Sequence, residues 1–421
     1  MRYQQTHLFK DHRKRAYLNP AGADKPLRSP VSAKTLEHAR AYRKSRIVEQ
    51  VNNHHCAAIL LSDPINIRYA LDVSNMQVWA LHNAFHYALV FADGHAIDFQ
   101  SLRAPQQHQG LATVDEMRPS KAWMYMYSGR DLDRAVGLWA ADIADCLRAR
   151  GLANGRLAVD KLDPPGVDAL RRQHIEIVEG QALAETARSI KNADELELMR
   201  WSIRVCEAGI ARVYEHSTAG KTEQEIWAEL HYENIRSGGE WLETRLLTAG
   251  RRTNPWYQEC SDHVVLAGEM LAFDTDMIGP YGYCADLSRS WTIDHTAMSD
   301  AQRRIYAAAI EQIGHNVALI AAGMEYREYV EKAWVIPEKY LANRYVCALH
   351  GVGMSDEYPV VPNRPDITSL VEGRFVEGMA FCVESLIGEE GAGECVKLET
   401  QVVVTAAGAQ RLDSFPWEEI Q

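Results

Sequence analysis

A chain of 421 residues, 47% hydrophobic and 24% charged, is long enough for two ordinary globular domains. Its acids outnumber lysine plus arginine by 57 to 45, for a net charge of −12 with no basic stripe, which argues against nucleic acid as a partner. The longest apolar runs fall far short of a membrane span, the basic N-terminus lacks a signal-peptide core, and eight scattered cysteines without a CxxC pair read as reduced, buried thiols of a cytoplasmic protein.

Residues 1–33 are polar and carry Pro20, Pro26 and Pro30. They read as an arm laid over the body or over a partner. A helix is expected over about 33–54, then a strand over 56–61 and a further short segment from 65 to 69. Residues 86–91 and 96–99 read as a hairpin around Asp93-Gly94. A helix over 132–149 precedes a strand at 156–160, and a helix over 166–173 precedes one at 175–178. This alternation over residues 34–183 describes an α/β domain.

A second domain is expected over 184–421. Asn192 caps a helix running to about His216, and Thr222-Glu-Gln-Glu225 opens the next with a capping box. A strand near Leu246, helices over 299–321 and 326–340, and strands over 345–350, 379–387 and 394–404 follow.

The domain is organised around residues 271–291. Met270-Leu-Ala-Phe273 and Tyr283 to Trp291 read as strands around the turn Gly279-Pro-Tyr-Gly282. Alternate strand residues share a face, which places Asp274 and Asp276 together, and a hairpin returns Asp286 to them. Three carboxylates converging in apolar surroundings repel one another unless a cation sits between them. Further on, His350 ends a strand before Gly351-Val-Gly353. Glu384 and Glu399 each interrupt an apolar strand, and Asp356 follows the glycine turn. Together these residues supply the oxygen donors and the imidazole of a two-metal site of the Mn, Fe, Co or Zn kind.

The order Asp276, Asp286, His350, Glu384, Glu399 resembles the pita-bread metallopeptidase family, which includes methionine aminopeptidase, aminopeptidase P, prolidase and creatinase. The resemblance covers about residues 184–421 and is carried by Gly282-Tyr-Cys-Ala-Asp-Leu-Ser-Arg289, His350-Gly-Val-Gly353, Glu384 and Glu399. It implies an α/β N-terminal domain followed by an α+β pita-bread catalytic domain of the creatinase/aminopeptidase kind. Three departures stand out. The peptidases carry a histidine upstream of the first aspartate, where this chain has Thr253-Asn-Pro-Trp-Tyr257. They carry a second after the HGxG turn, where Asp356 stands. Asp274 is an additional acid. Those histidines handle the substrate amide in the peptidases, so peptide hydrolysis is not the expected activity.

The altered pattern resembles the dimethylsulfoniopropionate lyases of the DddP type, built on the same fold. The arm, Trp79, Asn254-Pro-Trp256, Asp274 with Asp276, and Tyr345 ahead of His350 carry this likeness. It implies two divalent ions, iron foremost, a homodimer with the Trp79 region near the partner's site, and β-elimination to dimethyl sulfide and acrylate. The chemistry assigns roles accordingly. Asp276, Asp286, His350, Glu384 and Glu399 are expected to hold metal, with Asp274 a sixth, additional candidate. Asp356 takes the α-proton, with Tyr345 the alternative catalytic group. Trp79, Trp256 and Tyr345 offer aromatic faces to the sulfonium. A prolidase-like peptidase and a non-catalytic binding protein are the competing readings.

Overall fold

The computed structural model describes residues 17, 25–83, 85–101, 107 and 110–418; most of the expected arm lies outside them. Two compact units divide the chain. One spans Ser32–Arg188, and the other is built from Ser189 onward together with the first 31 residues.

In the N-terminal unit a helix, Ala33–Asn53, starts where the Ser32 side chain accepts the Thr35 amide. A six-stranded sheet follows, made of β1 (Ala58–Leu61), β2 (Tyr87–Phe91), β3 (Ala96–Gln100), β4 (Glu116–Pro119), β5 (Arg156–Val159) and β6 (Glu176–Glu179). Its order is β4-β3-β2-β1-β5-β6. β1 is buried along its whole length and pairs antiparallel with β2 and parallel with β5. The segment from Ile65 is a helix, Pro64–Leu71. Two isoleucines and a tyrosine in five residues look strand-like, but Asp63 caps the Ile65 amide and Pro64 presets the first turn. The helix Leu132–Ala149 buries Val136, Trp139, Ala140, Ile143 and Leu147. These pack with Phe91 and Phe99 of the sheet.

In the C-terminal unit, Asn192 caps the helix Ala193–His216 at Glu195, and Thr222 with Glu225 forms the capping box of the helix Glu223–Arg236. β7 (Trp241–Leu242), β8 (Leu247–Ala249), β9 (Met270–Phe273), β10 (Met277–Ile278), β11 (Cys284–Ala285) and β12 (Arg289–Thr292) form two three-stranded sheets, β11-β10-β7 and β12-β9-β8. β13 (Leu349–Val352), β14 (Asp356–Val361), β15 (Ala380–Ile387), β16 (Val396–Thr405) and β17 (Gly408–Arg411) form a five-stranded sheet. Its order is β14-β13-β15-β16-β17. The helix Asp300–Leu319 packs on β15 and β16.

Three expectations need correction. The helix expected over 326–340 is two pieces, Tyr326–Lys332 and Glu338–Leu341, because Pro337 bars the helical conformation at Ile336 and donates no hydrogen bond. The acidic hairpin is not continuous. β9 pairs with β12 and β10 with β11, while residues 274–276 and 286–288 leave the ladder. Thr275 replaces the missing rungs, its hydroxyl donating to Ala285 O (2.8 Å) and accepting from Leu287 N (2.9 Å). Asp356 begins β14 and is not on a loop. Of the arm, Tyr17 donates to Ser414 O (2.7 Å) and Ser29 bonds to the Tyr281 hydroxyl (2.8 Å), so these residues lie on their own unit.

Candidate metal centre

The interrupted hairpin places the acids where a regular one would not. Asp276 adopts a left-handed φ of 34° in the gap between β9 and β10, and its amide donates to Asp286 Oδ1 at 3.2 Å. The Thr244 hydroxyl holds its carboxylate from the other side. The five-stranded sheet supplies the rest. Register sets Glu384 opposite Glu399 and His350 opposite Cys382, two residues before Glu384 on the same face. His350 Nε2 thereby comes within 3.4 Å of Glu384 Oε1, 3.6 Å of Asp286 Oδ2 and 3.8 Å of Glu399 Oε1. Nδ1 of the same ring meets Gly351 O at 3.0 Å, which leaves Nε2 to face the acids.

Asp274, Asp276, Asp286, His350, Glu384 and Glu399 thus converge, as overlapping groups of ligand atoms within 4.8 Å of one another. Cys382 shares one of these groups, with Asp286, His350 and Glu399. Glu384 Oε1 and Glu399 Oε1 are buried with no hydrogen-bond partner. Both point at the space in front of His350 Nε2. Orphaned carboxylate oxygens in a dry site are costly, and a cation bound between them satisfies both.

The electrostatics agree. Burial, then Glu399, Asp276 and Asp274, push Asp286 well above the carboxylate range. Burial and Glu384 do the same to Glu399. Burial, Asp274 and Asp356 push Asp276 up to about 8. Burial would lower His350, but Asp356, Glu384 and Glu399 outweigh it and raise the imidazole to about 10. Without added positive charge, these groups retain protons. The donor set of hard oxygens and one imidazole fits divalent metal.

Lys397 was invisible to motif reading. It is fully buried two residues before Glu399, on the same face of β16, and its ammonium reaches Glu384 Oε2 (2.7 Å), Asp274 Oδ2 (2.9 Å) and the Ser288 hydroxyl (2.7 Å). Ser288 in turn donates to Asp274 Oδ1 (2.7 Å). Both oxygens of Asp274 are therefore engaged by donors, and Lys397 outweighs burial to hold its carboxyl below the usual range. Asp274 and Lys397 cancel in charge. Asp276, Asp286, Glu384 and Glu399 remain, four negative charges that match two divalent ions. The i, i+2 spacing from Glu399 was the available signal, but a lysine beside a glutamate in a strand reads as an exposed pair.

The aromatic candidates fall in two places. Tyr345 and Trp256 flank the acids, with the Lys397 ammonium 4.4 Å from the Tyr345 ring centre and 6.0 Å from that of Trp256. Tyr257 stacks on Tyr345 at 5.7 Å. Trp79 belongs to the N-terminal unit, half-buried on the short helix Gln77–Ala80 and edge-on to Phe85 at 4.9 Å. Asp356 carries a side chain 58% exposed, with Oδ1 3.6 Å from His350 Nδ1.

Residues 197–406 match the family model for metallopeptidase family M24. The chain is 37% identical over 391 residues to the dimethylsulfoniopropionate lyase DddP of Roseovarius nubinhibens, covering 91% of this chain and 87% of that one. It is 38% identical over 393 residues to DddP of Roseobacter denitrificans, with the same coverage. The chain belongs to the DddP lyase family within the M24 fold. A Xaa-Pro dipeptidase of Pyrococcus furiosus matches less of it, at 27% identity over 53% of the chain and 63% of the relative. Among solved structures, a Xaa-Pro dipeptidase from Bacillus anthracis superposes with a TM-score of 0.73 at 20% identity, over 90% of this chain and 99% of that one. The prolidase of Pyrococcus furiosus gives 0.69 at 19%, over 88% and 100%. These two share the pita-bread fold.

Proposed function

We propose that this protein cleaves dimethylsulfoniopropionate to dimethyl sulfide and acrylate by β-elimination at a binuclear divalent-metal centre. Asp276, Asp286, His350, Glu384 and Glu399 would hold the ions, with Asp274 a sixth donor beside them. Iron is the foremost candidate, ahead of manganese, cobalt and zinc. Ions bound there would supply positive charge to the substrate carboxylate as charge builds on the α-carbon.

The observation that carries the reading is Asp356. Its carboxylate is exposed to solvent beside His350, where the resemblance implies a histidine in the peptidases. Burial and the acids Asp274, Glu384 and Glu357 raise it above the ordinary carboxylate value, against the pull of His350. Asp356 takes the α-proton, the C–H electron pair becomes the new double bond, and the C–S bond breaks to release neutral dimethyl sulfide. No acid need protonate that leaving group. Tyr345 serves less well as the base, because burial, Glu384 and Asp274 push its phenol far above the ordinary value and keep it protonated. Its ring already faces the Lys397 ammonium, which supports a cation-accepting role with Trp256 and Trp79.

The eight cysteines are all free and buried, which supports a reducing, cytoplasmic setting. No described helix is long and apolar enough to cross a membrane. A homodimer is the proposed assembly. Headspace gas chromatography of the metal-loaded protein with dimethylsulfoniopropionate tests the activity. Dimethyl sulfide should appear with equimolar acrylate, and none above the buffer rate would overturn the assignment.

A further inference from the structure

Glu357 follows the proposed base and points the other way. Along β14, exposed and buried residues alternate, so Asp356 faces solvent and Glu357 the interior. Its carboxylate is almost wholly buried and accepts from Lys191 Nζ at 2.9 Å, itself a buried ammonium. The other oxygen accepts from Met354 N at 3.0 Å, closing the turn from inside. Gly353 has no room for a side chain, because a Cβ there would lie 2.5–2.7 Å from the Glu357 carboxylate. Lys191 is fixed in turn. Its amide donates to Gly378 O (2.9 Å), and its ammonium also reaches Ser189 O (3.4 Å). Gly351 lets this turn lie close, since a Cβ there would meet Tyr358 O at 2.5 Å. Neither the metal donors nor the aromatic faces use this pair.

We propose that the buried Lys191–Glu357 pair is a positioning device for the reaction, holding the 353–357 turn so that Asp356 stands beside His350 and over the substrate. This rests on Asp356 as the base. Burial of two opposite charges is weak evidence for stability as such, because an apolar pair of similar size often serves as well. Lys191 thus ties the start of the unit to Gly378, two residues before β15, and to the base-bearing strand. Displacing a catalytic group by about 1 Å can lower turnover by about a hundredfold.

The test compares Lys191→Met/Glu357→Gln, which removes both charges together, in two backgrounds. With Asp356 present, the double variant should retain its fold by circular dichroism and its metal by elemental analysis. KM for dimethylsulfoniopropionate should stay within about twofold, while kcat falls about tenfold or more. In an Asp356→Asn background, the same change should cost no further turnover. Gly353→Ala, which keeps both charges but pushes on the Glu357 carboxylate, should show the same dependence and serves if the double variant does not fold. Equal losses in both backgrounds, or loss of metal, would overturn the positioning role while leaving Asp356 as base. Full turnover by Asp356→Asn alone would remove the base assignment, and the role of the pair with it.

Discussion

At the scale of single residues, a buried acid without a partner has few inexpensive explanations. Glu384 and Glu399 interrupt apolar strands, and the structure aims one bare oxygen of each at His350 Nε2. Asp286→Ala removes the carboxylate that links Asp276 N to this face, and elemental analysis should show metal content falling to half or less. Unchanged stoichiometry would remove Asp286 from the ligand set. Asp356→Asn should keep its metal and lose roughly a hundredfold in turnover, the usual scale for a general base. Metal binding should also depend on pH, with a definite sign. Asp276 retains its proton to about 8 and His350 to about 10 in the metal-free site, and both must give it up to bind a cation. Apparent affinity, measured by chelator competition, should therefore rise with pH through neutrality and beyond 8. A flat profile would mean the metal sits elsewhere. Lys397, Ser288 and Thr244 escaped sequence reading for a common reason. They touch the site through side-chain contacts that depend on the folded chain, Lys397 from a strand and Ser288 and Thr244 from the irregular stretches beside strands, and their residue types are ordinary on any surface.

At the scale of elements, periodicity served where packing decides the outcome. The helix Leu132–Ala149 was readable because its apolar residues recur at helical spacing toward one sheet. It misled where one local residue decides. Pro337 divides a helix, and Thr275 takes over ladder bonds at the acidic gap. The alternation argument for Asp274 and Asp276 reached the right neighbourhood by the wrong route, since the chain leaves the strand there and Asp276 turns left-handed. The His350–Gly351 step is a register irregularity between β13 and β14, and only a glycine admits the Tyr358 carbonyl so closely. Gly351→Ala should therefore shift His350 as well as strain the hairpin. A loss of about 1–3 kcal/mol in stability is expected from such overpacking, together with lower metal affinity, read by thermal melting and chelator competition. A variant that melts and binds metal as the wild type does would show that the hairpin yields without cost.

At the scale of the whole molecule, the fold alone does not choose the reaction, because peptidases and lyases share it. The choice falls to the site, where the resemblance implies that Thr253-Asn-Pro-Trp-Tyr257 and Asp356 stand in place of the peptidases' amide-handling histidines. Xaa-Pro dipeptides should be turned over poorly, and a rate near 10 per second would favour a prolidase activity instead. Assembly is a separate question with its own surface. In the N-terminal unit Tyr125, Met126 and Tyr127 are 71%, 63% and 62% exposed in succession, and Leu138 of the next helix is exposed as well. Monomeric proteins seldom leave such a run uncovered, and a second copy meeting it across a two-fold axis would bury it. Light scattering at micromolar concentration should give a mass near twice 47.4 kDa. Replacing Tyr125, Met126 and Tyr127 together by serine should give a folded monomer. If Trp79 completes the site across the dimer, that monomer should keep its metal and lose turnover. A monomeric, fully active wild type would end the dimer proposal. A dimer indifferent to the triple change would move its interface away from this patch.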